Sequence, residues 1–559
     1  MVVAGCSLPP PRKLCFVRMS KREMPVPVHD TLFLNGTVVT MNPVHPEAEA
    51  VLVRGDRVVA VGQADEMRAL AAPGARTVEL AGQTLLPGFN EAHNHMLMFG
   101  RSLAQVDCRA PGCGTIVELQ RRVAARAAEI PNGGWVLGRG YDDQSLAERR
   151  HPTRDDLDAV APDHLVVITN ASGHLCVANT RALALAGITR TTAPPEGGDI
   201  VHDADGTPTG LLLETAQGLV TDLIPEPTED DLVEALGRCA ERYLAAGITS
   251  SADASVHTNT QFRAFQRAMA TGANPLRTTL MLREHLLPHL IETGICTGFG
   301  SDRLRCGPIK LFIDGSLIGR TAAVSQPFLH DPDPNNLGLT MMREEVFQGY
   351  VMEAHAAGWQ IAVHAIGDRG IEMVLDAYER ALTAHPRADH RHRIEHCGIL
   401  RPDLIARIAR LGVVVVTQPI FITEYGDSFM RHLGEERAAL TYPFWSLLNA
   451  GIPMVFSSDC PVSAYEPLKS IQVAVTERTG SGAEYAPAEA ISVNEALHAY
   501  TVAGAFATFE EHRKGSIAPG MLADFVVLAR DPRRCPPNEI AAIPVAMTWI
   551  GGELVYERS

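Results

Sequence analysis

From Asp30 to Gly62 the apolar positions fall in short runs, DTLFLNGTVVTMNP and then AEAVLVRGDRVVAVG, broken by Asn-Gly and Gly-Asp. Breaks of this kind mark β-hairpins. The far end of the chain has the same texture in KGSIAPG, ADFVVLARD and AMTWIGGELVYE. One small β-sandwich built from both ends is expected. The middle alternates β-branched apolar runs with helical periodicity, the mark of βα units around a parallel sheet. Eight buried-strand candidates start near Thr84 (TLLPGF), Ile248, Leu276, Ile309, Gln360, His392, Val413 and Met454. Helical patterns follow several of them, such as RPDLIARIARLG after Leu400. The predicted class is α/β, a TIM-like (β/α)8 barrel. About 150 residues separate the first candidate strand from the second, too many for a loop. An inserted subdomain is therefore expected over about residues 110–240. The expected organisation is a disordered tail over 1–29, sandwich strands over 30–83, the barrel with its insertion over 84–503, and the rest of the sandwich over 504–559.

Composition narrows the classes. Apolar residues make up 46% and charged residues 20% of the 559, values of an ordinary globular chain. The net charge of −16 lacks the basic footprint of a nucleic-acid binder. No apolar run reaches the length of a membrane span. The 11 cysteines form no Cys-x-x-Cys pair, which fits a reducing compartment, and a cytoplasmic location is expected because no targeting signal is read. Val3-Ala4-Gly5-Cys6 mimics a lipoprotein cleavage site, but no apolar segment precedes it.

The chemistry concentrates at strand ends. His93 and His95 are two apart, so an extended chain points both imidazoles the same way. A second such pair, His390 and His392, reads as a solvated face. Lys310 lies in KLFIDGS, His364 in QIAVHAIGD, His396 closes HRIEH and Asp459 closes MVFSSD. Each is a polar residue inside or ending an apolar run, where burial demands pairing or a metal. In a barrel such positions face the mouth.

The order His-x-His, Lys, His, His, Asp, with its LPGF-x-EAH-x-H entry, resembles the metal-dependent amidohydrolase superfamily. WVLGRGYD, SGHLCVANT, KLFIDGSLIGRTAA, VHAIGDRG, RIEH and SSDCPV resemble its third amidohydrolase family, which includes the N-substituted formamide deformylases. The resemblance spans about residues 30–559. It implies that His93 and His95 hold one metal and His364 and His396 a second. It implies a Lys310 carboxylated by CO2 that bridges both ions, with Asp459 touching the metal and acting as base. Imidazole and carboxylate ligands suit Zn2+, as one or two ions. An ion pair between Lys310 and Asp314 is the competing reading of that lysine.

The insertion is expected to shape the substrate pocket through Trp135, Tyr141, Asp142 and His174. Core packing competes for Trp135, a helix cap for Asp142, and capping or packing for His174. Ser316 and Gln418 are further candidates, with a turn role competing for Ser316. The expected activity is hydrolysis of a C–N bond in a non-peptide amide, an N-formyl or N-acyl amine. Another amide, a carbamate or an ester at the same site is the alternative, and so is an inactive scaffold. A small-molecule amide partner and a homo-oligomer, a dimer, are expected by the same resemblance.

Overall fold

The computed structural model describes residues 30–109 and 112–559. The tail expected over 1–29 lies outside the described residues. Eight parallel strands form the central sheet: β1 (Phe89–Asn94), β2 (Ile248–Val256), β3 (Arg277–Arg283), β4 (Leu304–Phe312), β5 (Ile361–Ala365), β6 (Arg393–His396), β7 (Val414–Thr417) and β8 (Met454–Phe456). Each pairs with its sequence neighbour, so the sheet runs in chain order from β1 to β8. This is the nearly closed TIM-like barrel that the alternating pattern predicts.

The outer helices follow from their apolar spacing. Asp368–Ala384 buries Ile371, Val374, Leu375, Tyr378 and Ala381, one stripe at intervals of three and four. Glu229–Ala245 starts at Thr228, whose side chain accepts from Asp231 N in a reciprocal capping box. Gly412, at φ 69°, takes the left-handed conformation that ends Pro402–Leu411.

Both ends of the chain share one sandwich. Its four-stranded sheet holds Asp30–Leu34, and its six-stranded sheet holds Thr84–Pro87 beside Phe525–Leu528. Phe33 stands edge-on to Phe525 and to Trp549, with ring centroids 5.4 and 5.0 Å apart. The candidate strand at Thr84 is thus two strands. Thr84–Pro87 pairs in the sandwich, and the barrel begins at Phe89. Gly88 makes the transfer: a Cβ there would stand 2.2 Å from the Thr249 side chain. The segment between β1 and β2 carries a six-stranded mixed sheet with two apolar cores of its own.

His390 and His392 form no solvated face. They are 4% and 0% exposed at the start of β6, packed with His355. Their hydrogen bonds assign one neutral form to each ring. His392 Nε2 donates to His355 Nδ1 (2.9 Å), His355 Nε2 to His385 O (2.7 Å) and His390 Nε2 to Leu411 O (2.9 Å). Ile361 N donates to His392 Nδ1, and His392 N to His390 Nδ1. A second proton on any ring would remove an acceptor. Burial lowers the pKa of His355 and His390, and that of His392 far more. The unfolded chain therefore binds more protons below about pH 6.5, and stability falls as the pH drops through that value. Urea unfolding should show this acid-side loss, at up to about 1.4 kcal/mol per pH unit for each proton. The slope should be shallower in His392→Asn, and an unchanged slope would contradict the assignment.

Candidate active site

The imidazoles and the acid meet at the C-terminal mouth. β1 delivers His93 and His95 follows it, β5 delivers His364, β6 delivers His396, and Asp459 follows β8. The rings of His93 and His396 lie 4.9 Å apart, and those of His364 and His396 4.5 Å apart. His93 Nε2 and His95 Nε2 stand 3.4 and 3.2 Å from Asp459 Oδ1. Ligand atoms of His93, His396 and Asp459 all fall within 4.8 Å of one another.

Backbone geometry aims these groups. His396 and Asp459 have φ of 69° and 59°, the left-handed region that non-glycine residues rarely adopt. Local bonds hold that backbone in place. Cys397 N donates to Ala365 O (3.0 Å), and Asp459 N donates to His93 O (2.9 Å).

Three of the rings have one nitrogen already committed. His93 Nδ1 donates to Glu395 Oε2, His396 Nδ1 to Gln418 Oε1 (2.9 Å) and His364 Nε2 to Gly315 O (2.9 Å). The opposite nitrogen of each ring therefore keeps its lone pair, the form in which imidazole binds a metal. Glu395 is itself clasped by Arg393, at 2.7 and 2.8 Å, and both are fully buried. Burial raises the Glu395 carboxyl, but the Arg393 charge and the hydrogen bond from His93 outweigh it and hold the group far below the usual range. Gln418 is fixed in turn by donating to Ser457 Oγ (2.8 Å).

Among the described residues Lys310 and Asp459 each leave a buried polar atom, Nζ and Oδ1, without an aligned hydrogen-bond partner, as do Arg393 through Nη1 and Glu91 through Oε2. Lys310 is 0% exposed, with its ammonium 4.6 Å from the Phe312 ring centroid. Burial pushes its pKa down to about 8, against the opposing charges of Glu395 and Asp459. Asp314 does not pair with it. That carboxylate accepts instead from the backbone N–H groups of Ala323, Ile366 and Gly367 at 2.8–3.0 Å. Burial, then the Lys310 charge, lowers His364 to about 3. For Asp459 burial is opposed by the imidazoles beside it, and its pKa lies well below the usual value. The orphaned oxygen of Asp459 among imidazole lone pairs fits a divalent cation, and these nitrogen and oxygen ligands suit zinc; the Lys310 ammonium, a donor only, does not while it is charged.

The other sequence candidates divide. Gln418 lies in the site as the partner of His396. Ser316 is in a turn, its Oγ accepting from Gly319 N (3.0 Å). Tyr141 is buried in the core of the insertion, its hydroxyl 3.1 Å from His151 Nδ1. Trp135 packs against the second core of the insertion. Asp142 closes a turn by accepting from Gln144 N and Ser145 Oγ. His174 is exposed and paired with Glu214 at 2.9 Å. None of these last four lines the cavity of about 850 Å3 between the insertion and the barrel mouth. Their neighbours do: Arg139 and Gly140 on one strand, Asn170 at the end of the next with Ala171 to Gly173 in the turn after it, opposite Tyr425 and Cys460. Alternation along a twisted strand reverses the face, and the sequence words carry no sign of which face meets the barrel.

Glu395 and Arg393 are the site residues that the sequence reading passed over. Their signal was the one used for Lys310, charges inside an apolar strand. It failed because adjacent Glu395 and His396 compete for the same role.

The model of the Amidohydrolase family matches residues 76–556. The chain belongs to the Amidohydrolase family. It is 33% identical to N-substituted formamide deformylase of Arthrobacter pascens, covering 95% of this chain and 99% of that one. It is also 33% identical to Protein LONG AFTER FAR-RED 3 of Arabidopsis thaliana, over 95% and 92%. An uncharacterized metal-dependent hydrolase from Pyrococcus horikoshii OT3 superposes with a TM-score of 0.76 at 28% identity, over 91% of this chain and 99% of that one. Among the described residues of this family member, no helix is long and apolar enough to cross a membrane.

The Glu395 clasp generates a test. Glu395→Gln leaves Arg393 without its counter-charge and frees the ring of His93. Zinc affinity, measured by competition with a chromogenic chelator, is expected to fall about 10–100-fold. Unchanged affinity would remove Glu395 as the orienting group.

Proposed function

We propose that the protein hydrolyses the C–N bond of a non-peptide amide, an N-formyl or N-acyl amine, at a divalent metal centre. The carrying observation is the convergence of His93, His95 and His396 on Asp459, with Lys310 unpartnered beside them. The relative named a deformylase, 33% identical across nearly the whole chain, supports the substrate class.

His93, His95, His364, His396 and Asp459 would hold the metal, zinc, as one or two ions. When bound, a divalent ion in such a site acidifies water to near neutrality and polarises a carbonyl. The residues supply the rest. Asp459 is ionised and accepts the proton of the attacking water. It then passes that proton to the leaving nitrogen, which departs only when protonated. A Lys310 amine with a pKa of about 8 has a substantial neutral fraction at physiological pH. That lone pair can attack CO2 and release a proton, forming a carbamate whose two oxygens are ligands, as an ammonium is not.

Three results are expected. The zinc-loaded protein should release amine from a panel of N-formyl and N-acetyl amines, and no release from any member would refute the reading. Asp459→Asn should lose about 10²–10⁴-fold in kcat while the fold is retained; wild-type turnover would remove Asp459 as the base. Protein equilibrated with 13C-labelled bicarbonate should show a carbamate carbon resonance that is absent from Lys310→Ala. A spectrum without it would leave Lys310 a plain amine.

A further inference from the structure

Two cysteines stand side by side in the insertion, and the metal site uses neither. Cys108 follows the strand Val106–Asp107, and Cys113 precedes Thr115, the cap of the helix Ile116–Ala127. Both side chains are 1% exposed and share one apolar core. The backbone holds them together. Cys113 N donates to Arg109 O (2.9 Å), and Cys108 N donates to Arg139 O (2.9 Å) on the neighbouring strand. Arg122, on the helix, spans both segments: its Nη1 donates to Asp107 O (2.6 Å) and its Nη2 to Gly112 O. One guanidinium thus grips the carbonyl in front of each cysteine.

The two thiols meet in a hydrogen bond. That bond, with the Arg122 charge behind it, lowers the pKa of Cys113 against burial, and it raises that of Cys108. Cys176, in the second core of the insertion, shows the contrast: burial alone pushes its thiol up to about 12. A pair of thiols placed in this way can divide the work of disulfide exchange. Cys113 attacks one sulfur of a small disulfide such as oxidised glutathione, whose S–S bond breaks as one glutathione thiolate leaves. Cys108 then gives up its proton, attacks the Cys113 sulfur of the mixed disulfide and expels the second glutathione. The two cysteines lose two electrons and two protons, and the glutathione disulfide takes them up as two thiols. Gly112 is exposed and Gly114 half-buried on either side of Cys113, so the attacking sulfur lies under a thin cover.

We propose that Cys108 and Cys113 are a modification site, forming a reversible disulfide that ties the strand Val106–Asp107 to the start of the helix Ile116–Ala127. Arg109, on the cavity wall, lies between them in the chain, so the bond would restrain that wall as well. The test needs no turnover. Trypsin cuts after Arg109, between the two cysteines. Full-length protein is equilibrated with mixtures of oxidised and reduced glutathione, its remaining thiols are alkylated, and it is digested without reductant. Residues 102–109 and 110–121 are expected to be recovered joined, and to separate on adding dithiothreitol. The equilibrium constant for the cross-link should be about tenfold or more higher in the native protein than in urea, because the fold raises the effective concentration of one sulfur at the other. Exposed Cys296 should carry glutathione instead and reports that the oxidant has acted. Recovery of the two peptides unjoined while Cys296 is modified would overturn the proposal. Equal constants in the native and unfolded states would overturn it too, because the pairing would then belong to a short loop and not to the fold.

Discussion

The barrel is fastened at its mouth by the residues that form the site. His93 O accepts from Asp459 N and Cys460 O from His95 N, so the ends of β1 and β8 are stitched by the main chain of three site residues and the cysteine beside one of them. Ser458 N adds a bond to the Glu91 carboxylate of β1. Closing the sheet and assembling the site are therefore one event. The left-handed backbone at Asp459 costs conformational energy, and the stitch opposes its relaxation.

Below that stitch lies an uncommon density of buried charge. Arg393, Glu395 and Lys310 have essentially no exposure, and isolated charges there would be severely disfavoured. Arg393 and Glu395 neutralise one another, and the carboxylate has capacity left for His93. The asymmetry lies in Lys310 and Asp459, which face the same space as the imidazoles and lack aligned partners. Among the described residues Arg393 Nη1 and Glu91 Oε2 also lack partners, so the clasp fixes His93 without satisfying every buried polar atom; the carboxylate of Asp459 and the imidazole lone pairs are the groups a cation could use.

Much of this was legible in the chain. Alternating β and α patterns gave the barrel because buried parallel strands read as continuous apolar runs, and a charge inside such a run is conspicuous. Lys310, His364, His396 and Asp459 were singled out in that way, and His93 and His95 by their spacing of two; the structure brings these side chains to one mouth. Other features were hidden for physical reasons. Gly88 splits one apolar run between two sheets, and the Pro87-Gly88 pair that marks the break was read as the interior of a single strand. His390 and His392 read as surface because a short polar stretch does not reveal that neighbouring imidazoles and carbonyls will satisfy it in the interior. The wall of the cavity was misread by one or two residues, Tyr141 for Arg139 and His174 for Gly173. Facing in a strand depends on a register that the strand does not encode alone.

The central claim is that these side chains form a divalent metal site. Elemental analysis of full-length protein purified without a chelating tag tests it most directly. The account predicts one or two transition-metal ions per chain, removed by chelation and restored by zinc, with two supporting a bridging Lys310 carbamate. A chain that carries no metal as purified, and takes up none when zinc is supplied, would contradict it.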